Sequence, residues 1–390
     1  MPGSTLLSGL KVVDMTSVLF GPYCTQSLAD MGADVVKIEP KTGDIFRYAG
    51  KPAKTRGMGP GHMTANRGKR SVAWDMKSEL GIEATKRLIA KSDIFIHNIR
   101  ADAIARLGLS FDYVKTIKPD IVYVHCLGFG ADGPYAGRPA YDDLIQALSG
   151  FASLSPIVLE DDQPRFVPMT IADKVSGLHA IYATLAAVIR RDRTGEAVHA
   201  EVPMLECTTH FLLEDHFSEA TFDPPTGPHG LKNQLDPARM PFRTKDGWLA
   251  IAPYSDRGWV KVFTVMKAED ELENERLIDK KARFHNFGYM ASRINAHLSQ
   301  RETSYWIDEF TKADLPAAPV NTMGQLKDDP HLAKTEFFQR REHPTEGGYW
   351  EMQPPVRFRG VPEEEISHAQ HIGEDTNAVL KELGLEPKAD

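Results

Sequence analysis

Cysteine is scarce in this chain. Cys24, Cys126 and Cys207 are the only three in 390 residues, and no two form a Cys-x-x-Cys pair. That argues against a disulfide framework or a zinc ribbon and fits a reducing, cytoplasmic compartment. Long apolar runs are missing too. None reaches the roughly 18 residues that a membrane-spanning helix needs. The opening MPGSTLLSGLKVVD lacks the basic start and apolar core of a signal peptide. Positive charge is in deficit, with a net charge of −8 and a pI near 6.0. A nucleic-acid surface is therefore not expected, although a local basic groove for a small anion is compatible with this balance. There is no internal repeat, no GxSxG nucleophile elbow and no HExxH metal motif. His210 and His216, beside Glu214 and Asp215, are six residues apart and do not share a helical face, so no metal is expected.

What is present is the composition of a folded protein. Hydrophobic residues make up 42% and charged residues 26%, which separates the chain from disordered sequences. Its length suits roughly two or three domains. Residues 10–15, 34–39, 70–74, 93–97 and 121–127 read as buried strands, with helix-like runs at 23–31, 79–91 and 101–107 between them. This alternation predicts an α/β fold with a parallel sheet covered on both faces. Gly21-Pro22 opens the first helix and Gly32 ends it. Residues 171–191 predict a strong helix with Val175, Leu178, Ile181, Tyr182, Leu185, Val188 and Ile189 near helical spacing. Residues 198–204 add a strand candidate. The composition then shifts. Residues 221–241 read as loop, 241–253 as a hairpin turning at Lys245-Asp246-Gly247, and 376–383 as a last helix ended by Gly384.

Four constellations invite chemistry. Gly128 to Gly133 spells GxGxxG after a strand, but Pro134, Gly137 and Pro139 follow, so no helix N-terminus faces a bound phosphate as a dinucleotide site requires. Gly21 with Glu39 is a thin version of the same motif and reads as turn chemistry. Asn66-Arg67-Gly68-Lys69-Arg70 is a basic run that suits either a solvated surface or phosphate contact. Asp173 stands at the start of the strong helix. It reads as an N-cap that accepts backbone N–H bonds, or as a nucleophile held ionised at the positive helix end.

At these residues the chain becomes recognisable. LSGLKVVDMT, FGPYCTQSLADMGADVVKIEP, Gly43-Asp44 with Arg47, ANRGKRSVAWDMKS, AIARLGLSFDYVKTIKPDIVYVHCLGFGADGPY, AYDDLIQALSG, DKVSGLHAIYATLAAVIRRDRTGEA and HIGEDTNAVLKELGL resemble the family III CoA-transferases in order and spacing. These are the formyl-CoA transferase type, in a family that also contains α-methylacyl-CoA racemases. The likeness covers nearly the whole chain. It implies a Rossmann-like large domain built from residues 1–207 and 322–390, a linker at 208–230 and a small α+β domain at 231–321. It further implies a homodimer of interlocked chains and a cytoplasmic enzyme with no metal, no nucleic acid and no membrane partner. Its substrates are an acyl-CoA and a carboxylic acid, with coenzyme A carried between them. The nucleophile matches Asp173. The CoA contacts match Trp74, Asp75, Met76 and Lys77, then Asn98, Ile99 and Arg100, then Arg106, and Tyr141 with Asp142. Leu19 and Phe20 match the segment along the thioester.

This sequence also departs from the pattern. Oxalate-type members carry a glutamine at Leu19 and a run of glycines where this chain reads HGLKNQLDPARMPF. An arginine that some members set beside the adenine is matched by Pro40. These departures argue against oxalate as acceptor, and the apolar Leu19-Phe20 suits a less polar acyl group. Three other readings stand beside the transferase. A racemase would need a base where Tyr141 precedes Asp142, and tyrosine, with a pKa near 10, is a poor one. An NAD oxidoreductase rests on the GxGxxG string alone. A non-catalytic CoA-binding relative would explain the lost glutamine and glycines.

Overall fold

Six short runs rich in Val and Ile build one parallel sheet in the computed structural model, which describes residues 2–385. They are β1 (Lys11–Met15), β2 (Asp34–Glu39), β3 (Lys69–Ala73), β4 (Ile94–His97), β5 (Val122–Leu127) and β6 (Val198–Pro203). Each agrees with the sequence reading to within a residue at either end. The order across the sheet is β3-β2-β1-β4-β5-β6, with every pair parallel. Alternate residues feed opposite faces, as strand geometry requires. Val12, Val35, Ile96 and Val124 join one core, and Val13, Val36, Phe95 and Tyr123 the other. Burial on both faces is why these strands read as apolar runs and not as alternating ones.

The order of strands reverses at β1. One connection leaves β1 toward β2, and the next strand on the other side is β4. In open sheets of this kind the crevice outside the carboxyl ends of these two strands is the place where ligands bind. Helices α1 (Phe20–Asp30), α2 (Glu79–Ala90), α3 (Asp142–Ser149), α4 (Ile171–Thr194) and α5 (Thr376–Glu382) contribute to the two cores on the faces of the sheet. Pro22 falls at the third position of α1 and not at its first. α4 runs three residues past the expected end, to Gly195 at φ 70°. Its apolar stripe is divided. Val175 and Val188 are buried, whereas Leu178, Tyr182 and Ile189 are more than half exposed. α5 adds Val379 and Leu380 to the second core.

The chain separates into two compact units. The first holds the sheet and comprises residues up to Ala152, Phe166–Glu214 and the chain from Ala333 onward. The second comprises Ser153–Arg165 and Asp215–Leu332. It has a three-stranded antiparallel sheet, with Trp248–Ile251 between Phe242–Arg243 and Ala317–Pro319. The helices Asp256–Met266, Phe287–Leu298 and Thr303–Lys312 share its core of Leu249, Phe263, Ile294, Trp306 and Phe310. The expected hairpin is there, but the third strand was not foreseen. The stretch read as a linker from residue 208 begins inside a helix, Met204–His216. Among the described residues no helix is long and apolar enough to cross a membrane.

Candidate active site

The N-terminus of α4 is capped from outside the helix. Its own N-cap residue, Thr170, makes no side-chain capping bond. The Asp173 N–H instead donates to Asp142 Oδ1 at 3.0 Å, and Asp142 Oδ2 accepts from Gln146 Nε2 at 2.7 Å. Gln146 is fully buried, and its Oε1 accepts from the Val167 N–H at 2.8 Å. α3 and the chain leading into α4 are thereby locked together. This corrects the N-cap expectation for Asp173. Asp173 is the third helical residue, and Asp142 does the capping.

The Asp173 carboxyl is left unengaged. It is 7% exposed and accepts no hydrogen bond from the described residues. Burial, and after it the negative charge of Asp142, push its pKa up to about 7, against a smaller pull downward from Lys174. A carboxylate without donors in a low-dielectric setting is more basic than one in water. One turn on, Gly177 has no room for a side chain. A Cβ there would lie 2.8 Å from Tyr23 Cδ1 and 3.1 Å from the Phe20 carbonyl oxygen. α1 and α4 therefore meet at backbone distance beside Asp173. Leu19 and Phe20 are both buried there.

The loop from β1 into α1 is fixed from several sides. The Ser17 N–H donates to Asn98 Oδ1 at 3.0 Å, and Asn98 Nδ2 donates to the Ser17 carbonyl at 2.9 Å. Val18 has φ 67°. That left-handed conformation costs a residue with a Cβ about 1–2 kcal/mol and is rarest for β-branched side chains. The Val18 N–H meets both carboxylate oxygens of Asp44 at 3.1 Å. Lys37 Nζ bridges the Thr16 carbonyl at 2.7 Å and Asp44 Oδ2 at 3.1 Å. Below them lies Asp14, where burial alone would raise the pKa but Lys69 and Lys37 outweigh it and hold the carboxyl at about 2. A Cβ at Gly21 would fall 2.3 Å from Thr16 Cγ2, so the helix can start this close to the loop only with glycine there.

The remaining expected residues are spread along the carboxyl ends of the strands. Trp74 follows β3, but its indole is buried and donates to Thr85 Oγ1 at 3.1 Å, so any ligand contact at this position falls to the backbone. Asp75 Oδ1 accepts from the Lys77 N–H at 2.8 Å, and the Met76 sulfur accepts from Thr85 Oγ1 at 3.2 Å. Lys77 and Arg100 are exposed and have no carboxylate partner among the described residues. Asn98 and Ile99 follow β4. Asn98 gives its amide to Ser17, while the Ile99 carbonyl accepts from His125 Nε2 at 2.8 Å. Arg106 pairs with Asp102 at 2.8 Å on an exposed helix face. Tyr141 precedes α3 and is 68% exposed. The structure brings Asp173 and Asp142 together, and Asn98 with the loop that carries Leu19. No ion pair or hydrogen bond among the described residues joins Lys77, Arg100 or Arg106 to that pair of aspartates.

Most of the basic run is buried, and of its cations only Arg70 stays partly exposed. Arg67 makes a bidentate pair with Asp30 at 2.9 and 2.7 Å, Lys69 is buried on Asp14, and Arg70 joins Asp34 and Glu382. Glu39 is likewise spent on Arg47, at 2.7 and 2.6 Å. The GxGxxG string stays a loop whose Gly130 N–H donates to Glu206. Among the described residues two clusters have metal-type donors, His125 with His199 and Glu201, and His343 with Glu346 and His371. Neither includes Asp173 or Asp142. Sequence reasoning missed Gln146, Val18 and the role of Asp44. Asp44 stood in a recognised motif, but nothing near it in the chain points to Val18.

Comparison with known proteins agrees with the fold. The family model described as CoA-transferase family III matches residues 7–376. The succinyl-CoA:glutarate CoA-transferase of Homo sapiens is 27% identical over 97% of this chain and 86% of its own length. The succinate–glutarate CoA-transferase of Agrobacterium fabrum is 31% identical over 84% and 82%. Among solved structures, a CAIB/BAIF family protein from Brucella suis superposes with a TM-score of 0.84 at 28% identity, covering 97% of this chain and 100% of that one. The matched span takes in every strand of the parallel sheet and both aspartates, and the chain belongs to CoA-transferase family III, as an enzyme of that family.

Proposed function

We propose that this enzyme moves CoA from an acyl-CoA to a carboxylic acid with Asp173 as nucleophile. The observation that carries the reading is the Asp173 carboxyl, buried, free of donors and raised to about 7. Its carboxylate attacks the thioester carbonyl, the C–S bond breaks, and a mixed anhydride and CoA thiolate result. The thiolate then attacks the aspartyl carbonyl and expels the donor's carboxylate, leaving an aspartyl-CoA thioester. The acceptor carboxylate attacks that thioester, forming a second anhydride and thiolate. The thiolate takes the acceptor's acyl group, and the Asp173 carboxylate is regenerated. No proton is gained or lost over the cycle, and one difficult exchange becomes a series of easier ones. A nucleophile with a pKa near the working pH is both substantially ionised and strongly basic.

Leu19, Phe20 and Gly21 support the oxyanion side of this chemistry. Their N–H groups open α1 and find no acceptor among the described residues, and such groups stabilise developing negative charge. Lys77, Arg100 and Arg106 suit the phosphates of CoA. Arg106→Ala should raise the Kd for CoA, and the effect should shrink as salt is added, because the group is exposed. A shallow concavity of about 570 Å³ after β2, lined by Thr42, Gly43, Ile45, Tyr48 and Arg56, supports an adenine site where Pro40 offers no side-chain cation. The racemase reading is weaker. Asp142, its acid, is already engaged by Asp173 N–H and Gln146.

Succinyl-CoA with glutarate is the first pair to try, because the human and Agrobacterium relatives are named for these acids. A wider panel of acyl-CoAs against mono- and dicarboxylates, read by mass spectrometry, tests the proposal. New acyl-CoA formed only when an acceptor acid is present supports it. Exchange of the α-proton for deuterium without any acceptor would favour racemisation instead.

A further inference from the structure

Resting on that reading, we propose that Asp44 is a positioning residue. It holds the turn at Val18 in its left-handed form, and transfer requires that form. Three observations carry this. Val18 is β-branched and has φ 67°, a conformation such residues leave unless something holds them. What holds it is the Asp44 carboxylate, buried, with both oxygens 3.1 Å from the Val18 N–H. The turn also decides where the start of α1 lies, and the Phe20 carbonyl packs, beside the Tyr23 ring, against Gly177, one turn beyond Asp173. A Val18 relaxed to negative φ would swing Leu19 and Phe20 away from that contact.

The surroundings of Asp44 make the charge specific. The Val18 N–H, the Phe46 N–H at 3.0 Å and Lys37 Nζ at 3.1 Å converge on its two oxygens, and all three are donors. An amide at this position brings its NH2 against a donor whichever way it turns. Lys37 is further held by the Thr16 carbonyl, so it cannot follow. Asn98 grips Ser17 separately and keeps the strand side of the loop in place. The Val18 and Phe46 peptides lose an acceptor when Asp44 is changed, and of the two Val18 is the one held at positive φ.

The test is a double-mutant cycle of Asp44→Asn and Val18→Gly. Glycine takes positive φ without cost, so a turn that needs Asp44 only for its conformation should no longer need it. Asp44→Asn should lower kcat roughly 10- to 100-fold, the effect of a misplaced near-attack geometry, with KM for acyl-CoA little changed. Val18→Gly alone should stay within about threefold of wild type, and Asp44→Asn/Val18→Gly should recover at least about tenfold over Asp44→Asn. Hydrogen exchange of the 16–22 segment gives a readout that needs no activity. The Val18 amide should exchange at least about tenfold faster in Asp44→Asn than in wild type, with the rest of the sheet unchanged. A double variant no faster than Asp44→Asn, or an unchanged Val18 amide, overturns the proposal. A wild type that transfers CoA between no pair of the panel would strike the transferase reading, and the exchange result would still decide the role of Asp44 in the turn.

Discussion

On the proposed mechanism, Asp173 makes activity and stability depend on pH in opposite senses. For activity, the nucleophile must be ionised, so kcat/KM for acyl-CoA should rise through an acid limb near the carboxyl's pKa of about 7. Asp142→Asn removes the second cause of that elevation, and the limb should move to lower pH. A limb that stays in place would exclude Asp173 as the titrating group. For stability, the folded pKa lies above the unfolded value of 3.8. Between the two the unfolded chain holds fewer protons, so stability falls as pH rises from about 4 to about 7 and stays lower above that. A difference of this size corresponds to an upper limit of roughly 4 kcal/mol. Asp173→Asn should therefore be inactive yet melt higher than wild type at pH 8, with the gap closing toward pH 4. Desolvation of the amide returns part of the gain. A pH-independent difference in melting temperature would contradict the assignment of a raised carboxyl.

At the scale of elements, the contact of α1 with α4 depends on Gly177. In an exposed helix interior Gly→Ala gains up to about 1 kcal/mol. Here the added Cβ would meet Tyr23 at 2.8 Å and the Phe20 carbonyl at 3.1 Å, and overpacking of that kind costs about 1–3 kcal/mol. Gly177→Ala should be destabilised in urea and slow in transfer. A more stable variant would mean that the helices separate easily. The strands of the sheet were legible because burial on both faces leaves uninterrupted apolar runs such as those of β4 and β5. The ends of α1 and α5 were legible from Gly32 and Gly384, whereas the start of α1 and the end of α4 were misplaced by two and three residues. The clamp on the loop was not. Asp44 acts on Val18 across 26 residues and Asn98 on Ser17 across 81, and pairings of that range leave no local periodicity. Ala317–Pro319 was missed for a similar reason: it has no β-branched residue, and its partner lies far back in the chain. The capping of α4 was misassigned because an aspartate in the first turn looks alike in sequence whether it caps the helix or is held free of it.

Over the whole molecule, the resemblance to the family raises the expectation of a dimer, and the surface of the sheet-bearing unit supports it. Leu178, Tyr182 and Ile189 form a stripe on α4 that is more than half exposed, and Leu144 and Leu148 on the adjacent α3 are about half exposed. Contiguous apolar patches of this kind mark interaction surfaces. We expect a second copy of the chain to cover them. If the two chains interlock, separation requires unfolding, and dilution should not release folded monomers. Light scattering that finds a stable, folded monomer at low concentration would contradict this.

The central claim is that Asp173 forms a covalent acyl intermediate. Enzyme mixed with the acyl-CoA that turns over best, then treated with hydroxylamine, should carry a hydroxamate at Asp173. Peptide mass spectrometry would read it, and Asp173→Asn should carry none. Modification at another residue, or a fully active enzyme with no modification under turnover, would contradict the account.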